Sequence, residues 1–225
     1  GIANLGATGT ASSSTFLRGD NAWAAPTSGG FNSVQVFTAS GTWTRPSGIT
    51  KVVIHAVGGG GAGGGGYNST YWSQAGGGGA YFIKYLDVSA IATSAITIGA
   101  GGAAVASTTV GTTGGNTIWA GGGALTANGG AGGDRGYNNG HGSSYGTGGT
   151  TSSGDVNFSG SRGSNGSAGG TIPGIAMGGW GFSPYDYSSS GNRVSTGYGY
   201  AGWGANASPW SYAGGGGLII VWEYK

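Results

Sequence analysis

The sequence predicts an all-β, partly irregular fold with minimal helix, comprising a β-sandwich-like frame, a glycine-rich middle and aromatic loops. Three observations lead there. Several runs of β-branched and aromatic residues have the length of strands. Glycine takes 58 of 225 positions and gathers in tracts. Apolar residues nowhere recur at the i, i+3, i+4, i+7 spacing of an amphipathic helix without glycine intervening.

Residues 1–30 are small and polar, close on Pro26-Thr27-Ser28-Gly29-Gly30 and read as a connector; residues 31–225 form the main domain. Within it, Val34-Gln35-Val36-Phe37-Thr38 is strand-like, and a turn at Ala39-Ser40-Gly41 leads to Thr42-Trp43-Thr44, halted by Pro46-Ser47-Gly48. Lys51-Val52-Val53-Ile54-His55-Ala56-Val57 follows as a strand of ordinary length. Ala80 to Leu86, Ala95-Ile96-Thr97-Ile98 and Leu218 to Tyr224 read the same way. Trp43, Phe82, Tyr85 and Trp222 lie in this strand text and are expected in the core or at a subunit contact.

Between the strands lie glycine tracts at 58–66, 76–79, 99–102, 121–123, 129–133 and 214–217, and a glycine-spaced region from 136 to about 204. Ordering glycine is unfavourable by roughly 1–2 kcal/mol per residue, or on the order of 60–120 kcal/mol over all of them. Two arrangements offset that loss. In one, glycine serves positive-φ turns; in the other, extended glycine segments lie side by side as polyglycine-II helices, three residues per turn with every N–H and C=O pointing outward to a neighbour. Near-contiguous tracts separated by reversals suit the bundle better than isolated turns.

The segments between the tracts are rich in Tyr, Trp, Ser and Asn: 67–74, 137–145, 155–162, 180–187, 198–203 and 210–212. On parallel rods they would be caps, with the composition of adaptable recognition surfaces. Glycine neighbours cannot bury all these rings, so Tyr67, Tyr71, Trp72, Tyr137, His141, Tyr145, Trp180, Tyr185, Tyr187, Tyr200, Trp203, Trp210 and Tyr212 are the candidate contact residues, suited to sugar stacking or protein docking.

Composition excludes several classes. Eight Trp, twelve Tyr and six Phe are too much apolar surface for a disordered chain. Collagen's register fails at Gly136-Tyr137-Asn138-Asn139-Gly140. Net charge is only +2, from eight dispersed basic residues, which argues against nucleic acid. Without cysteine there is no thiolate metal site, and no cofactor is expected. The longest apolar run, Leu218 to Trp222, is far short of a membrane span. The absence of an initiator Met suggests that the chain begins inside a longer polypeptide or after processing.

Short motifs carry little. G-x-G-x-x-G strings arise by chance at this glycine content, and none opens a helix after a strand. Arg18-Gly19-Asp20 and the sequons at Asn68, Asn157, Asn165 and Asn206 are equally unspecific. His55 reads as structural and His141 as a hydrogen-bonding loop residue. Catalysis is not expected; a glycan-cleaving alternative would need Asp134, Asp155 and Asp186 to gather in one loop cluster.

Residues 5–26, with Phe16-Leu17-Arg18-Gly19-Asp20 and Trp23, resemble the segment that precedes the receptor-binding region in many bacteriophage tail fibres. Phe37-Thr38-Ala39-Ser40-Gly41-Thr42-Trp43-Thr44-Arg45-Pro46, the run from Lys51 to Gly61, and the ending from Gly214 to Tyr224 resemble the opening and closing of a glycine-rich tail-fibre tip domain. The interior from Gly115 to Gly217 is similar to the polyglycine-II tail adhesins of T-even-type phages. The resemblance implies that 1–30 is fibre shaft and 31–225 a receptor-binding tip. It further implies a homotrimer at the distal end of the virion's fibre, contacting lipopolysaccharide or an outer-membrane protein without membrane insertion, and it brings no catalytic residues. The fused shaft departs from those separate adhesins. An ice-binding or silk-like structural protein is a further alternative.

Overall fold

The computed structural model describes residues 6–25, 29–66, 73–136, 144–163, 197–202, 204 and 211–225. Among them there is no helix, and eleven strands form three antiparallel sheets. A small hairpin pairs β1 (Phe16–Leu17) with β2 (Trp23–Ala24). It closes through a left-handed Asn21, φ 62°, and an Arg18–Asp20 ion pair of 3.2 Å inside the Arg-Gly-Asp tripeptide. The connector text carried no strand signal, because two-residue strands have no periodicity to read.

The other two sheets face each other. One contains β3 (Phe31–Phe37), β5 (Lys51–Val57), β6 (Tyr81–Asp87), β10 (Val156–Phe158) and β11 (Leu218–Tyr224), in the order β10-β6-β5-β11-β3. The other contains β4 (Gly41–Thr44), β7 (Thr93–Thr97), β8 (Thr117–Trp119) and β9 (Leu125–Ala127), in the order β4-β7-β8-β9. Side chains alternate across a strand, so Val52, Ile54 and Ala56 of β5, Phe82 of β6 and Ile219 and Val221 of β11 enter one core. There they meet Trp43, Ile96, Trp119 and Ala127 of the facing sheet. The Trp43 and Trp119 rings, 5.0 Å apart at 49°, fill its centre. Full burial of each such side chain is worth about 1.5–3 kcal/mol, and this core holds the sandwich together.

Both faces of the five-stranded sheet carry many apolar residues, and β3 is inverted. Its Ser33 and Gln35 point inward and donate to the fully buried Glu223 carboxylate at 2.5 and 2.7 Å, while Val34 and Val36 point out. Trp43 Nε1 donates a third bond, 2.7 Å, to Glu223. A buried carboxylate demands such donors.

The strands do not end in loops on the bundle side; they run on into the glycine tracts. β5 continues as 58–66, and 73–80 leads back into β6; 111–116 enters β8, β9 continues as 128–136, and 211–217 enters β11. The central tract shows how they pack. N–H groups of residues 58, 61 and 64 donate to the carbonyls of Ala80, Gly77 and Gln74; those of 59, 62 and 65 to Gly115, Thr112 and Thr109; those of 60 and 63 to Gly215 and Tyr212. Each partner set steps by three, so three antiparallel tracts surround this one at the spacing of a three-residue turn. Its carbonyls are taken by three parallel tracts, with Gly130, Gly133 and Gly136 donating to 59, 62 and 65, Gly102 to Gly60, and Gly202 to Gly61. Six neighbours around one rod make a hexagonal polyglycine-II bundle, with the backbone amides paired between rods.

Glycine is needed for close approach: a Cβ at Gly60 would fall within the Tyr200 carbonyl, and one at Gly130 within that of Gly77. The tract at 121–123 follows the other arrangement. Gly122 and Gly123 adopt φ 73° and 113° in the turn joining β8 to β9. Of the expected cap segments, 155–162 is corrected in its first half: Val156–Phe158 is an edge strand on β6 and belongs to the sandwich, whereas 160–163 runs on among the glycine rods. Three residues are too few to betray a strand by pattern.

Candidate functional site

The tracts leave the sandwich together, so their far ends form one distal surface. Described residues converge there in a hydrogen-bonded layer. Gly136 N–H donates to Gly65 C=O (3.1 Å), Gln74 to Asp134 (2.9 Å), Asp134 to Ser144 (3.1 Å) and Thr108 to Gly66 (3.3 Å). Ser211 and Val105 are clipped by two bonds, the Ser211 N–H to the Val105 carbonyl (3.0 Å) and the Val105 N–H to Ser211 Oγ (2.8 Å). Ser73 Oγ caps the Gly64 carbonyl at 2.5 Å. Gly66 and Ser73 flank 67–72, Gly136 and Ser144 flank 137–143, and Gly204 and Ser211 flank 205–210. Gly204 abuts Ser73. The residues that flank these three segments therefore lie in one layer.

Three candidate contact residues are among those described. Tyr145 lies under Arg162, whose guanidinium carbon is 4.7 Å from the ring centroid. Tyr212 presents its carbonyl to Gly63 N–H at 3.1 Å near the distal layer. Tyr200 accepts from Gly215 N–H at 2.8 Å beside Gly60. At about 3.1 Å per residue, that is roughly 9 Å nearer the sandwich than Tyr212. Tyr67, Tyr71, Trp72, Tyr137, His141, Trp180, Tyr185, Tyr187, Trp203 and Trp210 lie outside the described residues.

Beyond the candidate contact residues, this end also holds cationic and small-loop members. Arg135 Nη1 donates to Thr108 C=O at 3.3 Å, and Thr108 itself turns the 107–109 reversal with φ 59°. Val110 beside it is exposed. Arg162 meets Tyr145 because Gly163 N–H pairs with Gly146 C=O at 2.8 Å and Gly160 with Gly149 at 2.8 Å. Glycine tracts carry no side chains from which that register can be read.

The two candidate carboxylates among the described residues, Asp134 and Asp155, are not brought together. Asp134 is in the distal layer. Asp155 is on the sandwich edge, bonded to Lys84 Nζ at 2.6 Å and to Tyr85 N–H at 2.8 Å. The Lys84 ammonium, with that backbone donor, holds the Asp155 carboxyl below the usual carboxylate range. Gly64 and Ile83 mark their levels along the rods, on the order of 30 Å apart, against roughly 5–10 Å for a working pair. Asp186 lies outside the described residues. Among the described residues, no group of His, Asp and Glu could hold a metal ion, and no helix is long and apolar enough to cross a membrane.

His55, expected to be structural, is half-buried on the outer face of the five-stranded sheet. Its Nδ1 is 2.7 Å from Tyr81 Oη, and its ring is 6.5 Å from that of Trp222. Burial pushes the imidazole below its ordinary value and the Tyr81 phenol above its own.

A family model described as a glycine-rich domain matches residues 33–224. Among curated proteins, none matches the chain.

Proposed function

We propose that this chain, which belongs to the glycine-rich domain family, is the receptor-binding tip of a bacteriophage tail fibre. The observation that supports this reading is the convergence of the distal layer: a rigid, side-chain-poor bundle delivers to one surface, remote from the sandwich, the ends of three segments that carry Tyr67, Tyr71 and Trp72, Tyr137 and His141, and Trp210. Rods paired through their backbones in six directions give little at that end. Each aromatic contact is then made with small loss of conformational freedom.

On this reading, residues 1–30 join the tip to a trimeric shaft, the particle carries the chain at the far end of its fibre, and the ligand is lipopolysaccharide or an outer-membrane protein. Three tips on one fibre multiply modest single-site affinity through avidity. The test is adsorption of the full chain to host cells, comparing wild type with the combined Trp72→Ala, Tyr185→Ala and Trp203→Ala variant. Lost adsorption with an unchanged far-UV spectrum supports the reading, and full adsorption removes it. Release of reducing sugar from host polysaccharide would favour the glycan-cleaving alternative, and thermal hysteresis the ice-binding one.

A further inference from the structure

We infer that the free edge of β3 is a docking site for an extended, uncharged segment of a different polypeptide, which joins the five-stranded sheet as its next strand. Neither sheet of the sandwich closes, so there are four edges: β10 and β3 on one sheet, β4 and β9 on the other. An open edge exposes a row of backbone N–H and C=O groups that templates pairing with another chain unless it is short or covered.

Three of these edges are blunted. β9 has three residues, and its middle one is capped by side chains: the Thr126 N–H donates to Ser153 Oγ at 2.9 Å, and Thr151 Oγ1 donates to the Thr126 carbonyl at 2.8 Å. β10 also has three residues and directly follows the Lys84–Asp155 ion pair. β4 has four, stopped by Arg45-Pro46. β3 differs: it has seven residues, with no proline and no ionisable side chain. Its one irregularity, a bulge at Asn32, lies near its start and leaves Ser33–Phe37 in regular register with β11. On the other side, no group among the described residues bonds to its backbone.

The chemistry of the occupant follows from what flanks this edge. Side chains of an added strand alternate as those of β3 do. Beside Val34 and Val36, 44% and 57% exposed on the outer face, apolar residues gain burial. Beside Ser33 and Gln35, on the inner face, neutral polar residues fit. β3 and its neighbour β11 carry a single ionisable side chain, Glu223, which is buried and already accepts from Ser33, Gln35 and Trp43. A charged segment would find no complement there. Backbone bonds supply the affinity and the alternation supplies the selectivity, as in other cases of strand addition. A second copy fits poorly. Two β3 edges pair antiparallel only about a two-fold axis, which a three-fold fibre lacks, and head-to-tail pairing needs a second long open edge that the sandwich does not have. Docking here goes beyond the receptor reading and leaves the distal layer open.

The probe is a capped, fluorescent heptapeptide alternating threonine and valine, titrated with the full chain and read by anisotropy. Wild type binds it saturably, whereas the same peptide with every amide N-methylated does not bind. Val36→Lys, which sets a charge on the edge, weakens binding several-fold, and the control Ala95→Lys, on the opposite sheet, binds as wild type does. Amide hydrogen exchange on wild type locates the contact without depending on any variant folding. The peptide slows alternate amides of β3 several-fold and leaves Thr126 of β9 unchanged. Absent binding, equal binding of the methylated peptide, a Val36→Lys variant that binds like wild type, or slowing confined to other strands overturns the inference. So does slow exchange at every β3 amide before peptide is added, which would mean that another copy already fills the edge. Host cells play no part in either measurement, so failure here is distinct from failure of the receptor reading.

Discussion

Trp43 donates its indole N–H to the Glu223 carboxylate at 2.7 Å, joining side chains 180 positions apart in the chain, both fully buried. The bond crosses the sandwich from β4 to β11, and with Ser33 and Gln35 it gives the carboxylate three donors. Removing a donor from a buried charge is more damaging than the bond's mean worth suggests. Trp43→Phe keeps a ring in the core but leaves that oxygen with the Gln35 donor alone. The expected loss is about 2–3 kcal/mol, or a melting temperature lower by roughly 4–10 °C in a domain of this size. Calorimetry checks it, and a shift below about 1 °C would show that the bond contributes nothing.

The bundle predicts a sharp division among glycines. At Gly60 and Gly130 a methyl group meets a backbone carbonyl of the next rod, and that carbonyl cannot retreat without losing its own place in the lattice. Gly60→Ala or Gly130→Ala should cost at least about 3 kcal/mol or prevent folding. Gly41 has open space where its Cβ would be. Gly41→Ala should be neutral or stabilising by up to about 1 kcal/mol. Urea titrations of the three variants check this, and equal midpoints would mean that the rods are not closely packed.

His55 gives the fold a pH dependence whose sign is set by burial. Its folded pKa is lowered, so the unfolded chain binds the proton more readily. Stability is unaffected well above the ordinary value of about 6.5, falls as pH drops through it, and levels off once pH passes below the folded value. Asp87, held low chiefly by Ser89, and Asp155, held low chiefly by Lys84, lose their contributions only at lower pH, as it falls through their depressed folded values. Denaturation between about pH 5 and 7.5 therefore separates the chain's two histidines from its carboxylates, and comparison with a His55 variant assigns the His55 share. His55→Gln should flatten that slope, and a wild type that gains stability on acidification would refute the assignment.

What the sequence made legible follows from where side chains speak. Lys51–Val57 and Leu218–Tyr224 were readable residue for residue, because four of seven positions in the first and five of seven in the second are β-branched or aromatic. Val156–Phe158 was not, and its neighbour Asp155 looked like a loop acid until the β6 edge claimed both. The alternation Ser33-Val34-Gln35-Val36 was visible, but which set faces inward depended on Glu223, far away in the chain. The glycine tracts were legible as rods, whereas their pairing was not. Gly61 meeting Gly77 differs from Gly61 meeting Gly78 by nothing that glycine can display. That is also why the Tyr145–Arg162 contact at the candidate site went unseen.

That contact yields the prediction most specific to the distal end. Arg162 over the Tyr145 ring, 4.7 Å from its centroid, is a cation–π pair worth about 0.5–1 kcal/mol where exposed. Removing it should hardly move the melting temperature. If the distal layer is the receptor surface, however, the pair presents a fixed cation and an aromatic edge to the ligand, and avidity across several copies amplifies a small loss at each. Arg162→Ala and Tyr145→Ala should each reduce adsorption to host cells several-fold, with Arg162→Lys retaining part of it because charge survives and planarity does not. Asp155→Asn, on the sandwich edge, should leave adsorption unchanged. Loss with Asp155→Asn but not with Arg162→Ala would move the receptor surface to the opposite end of the molecule.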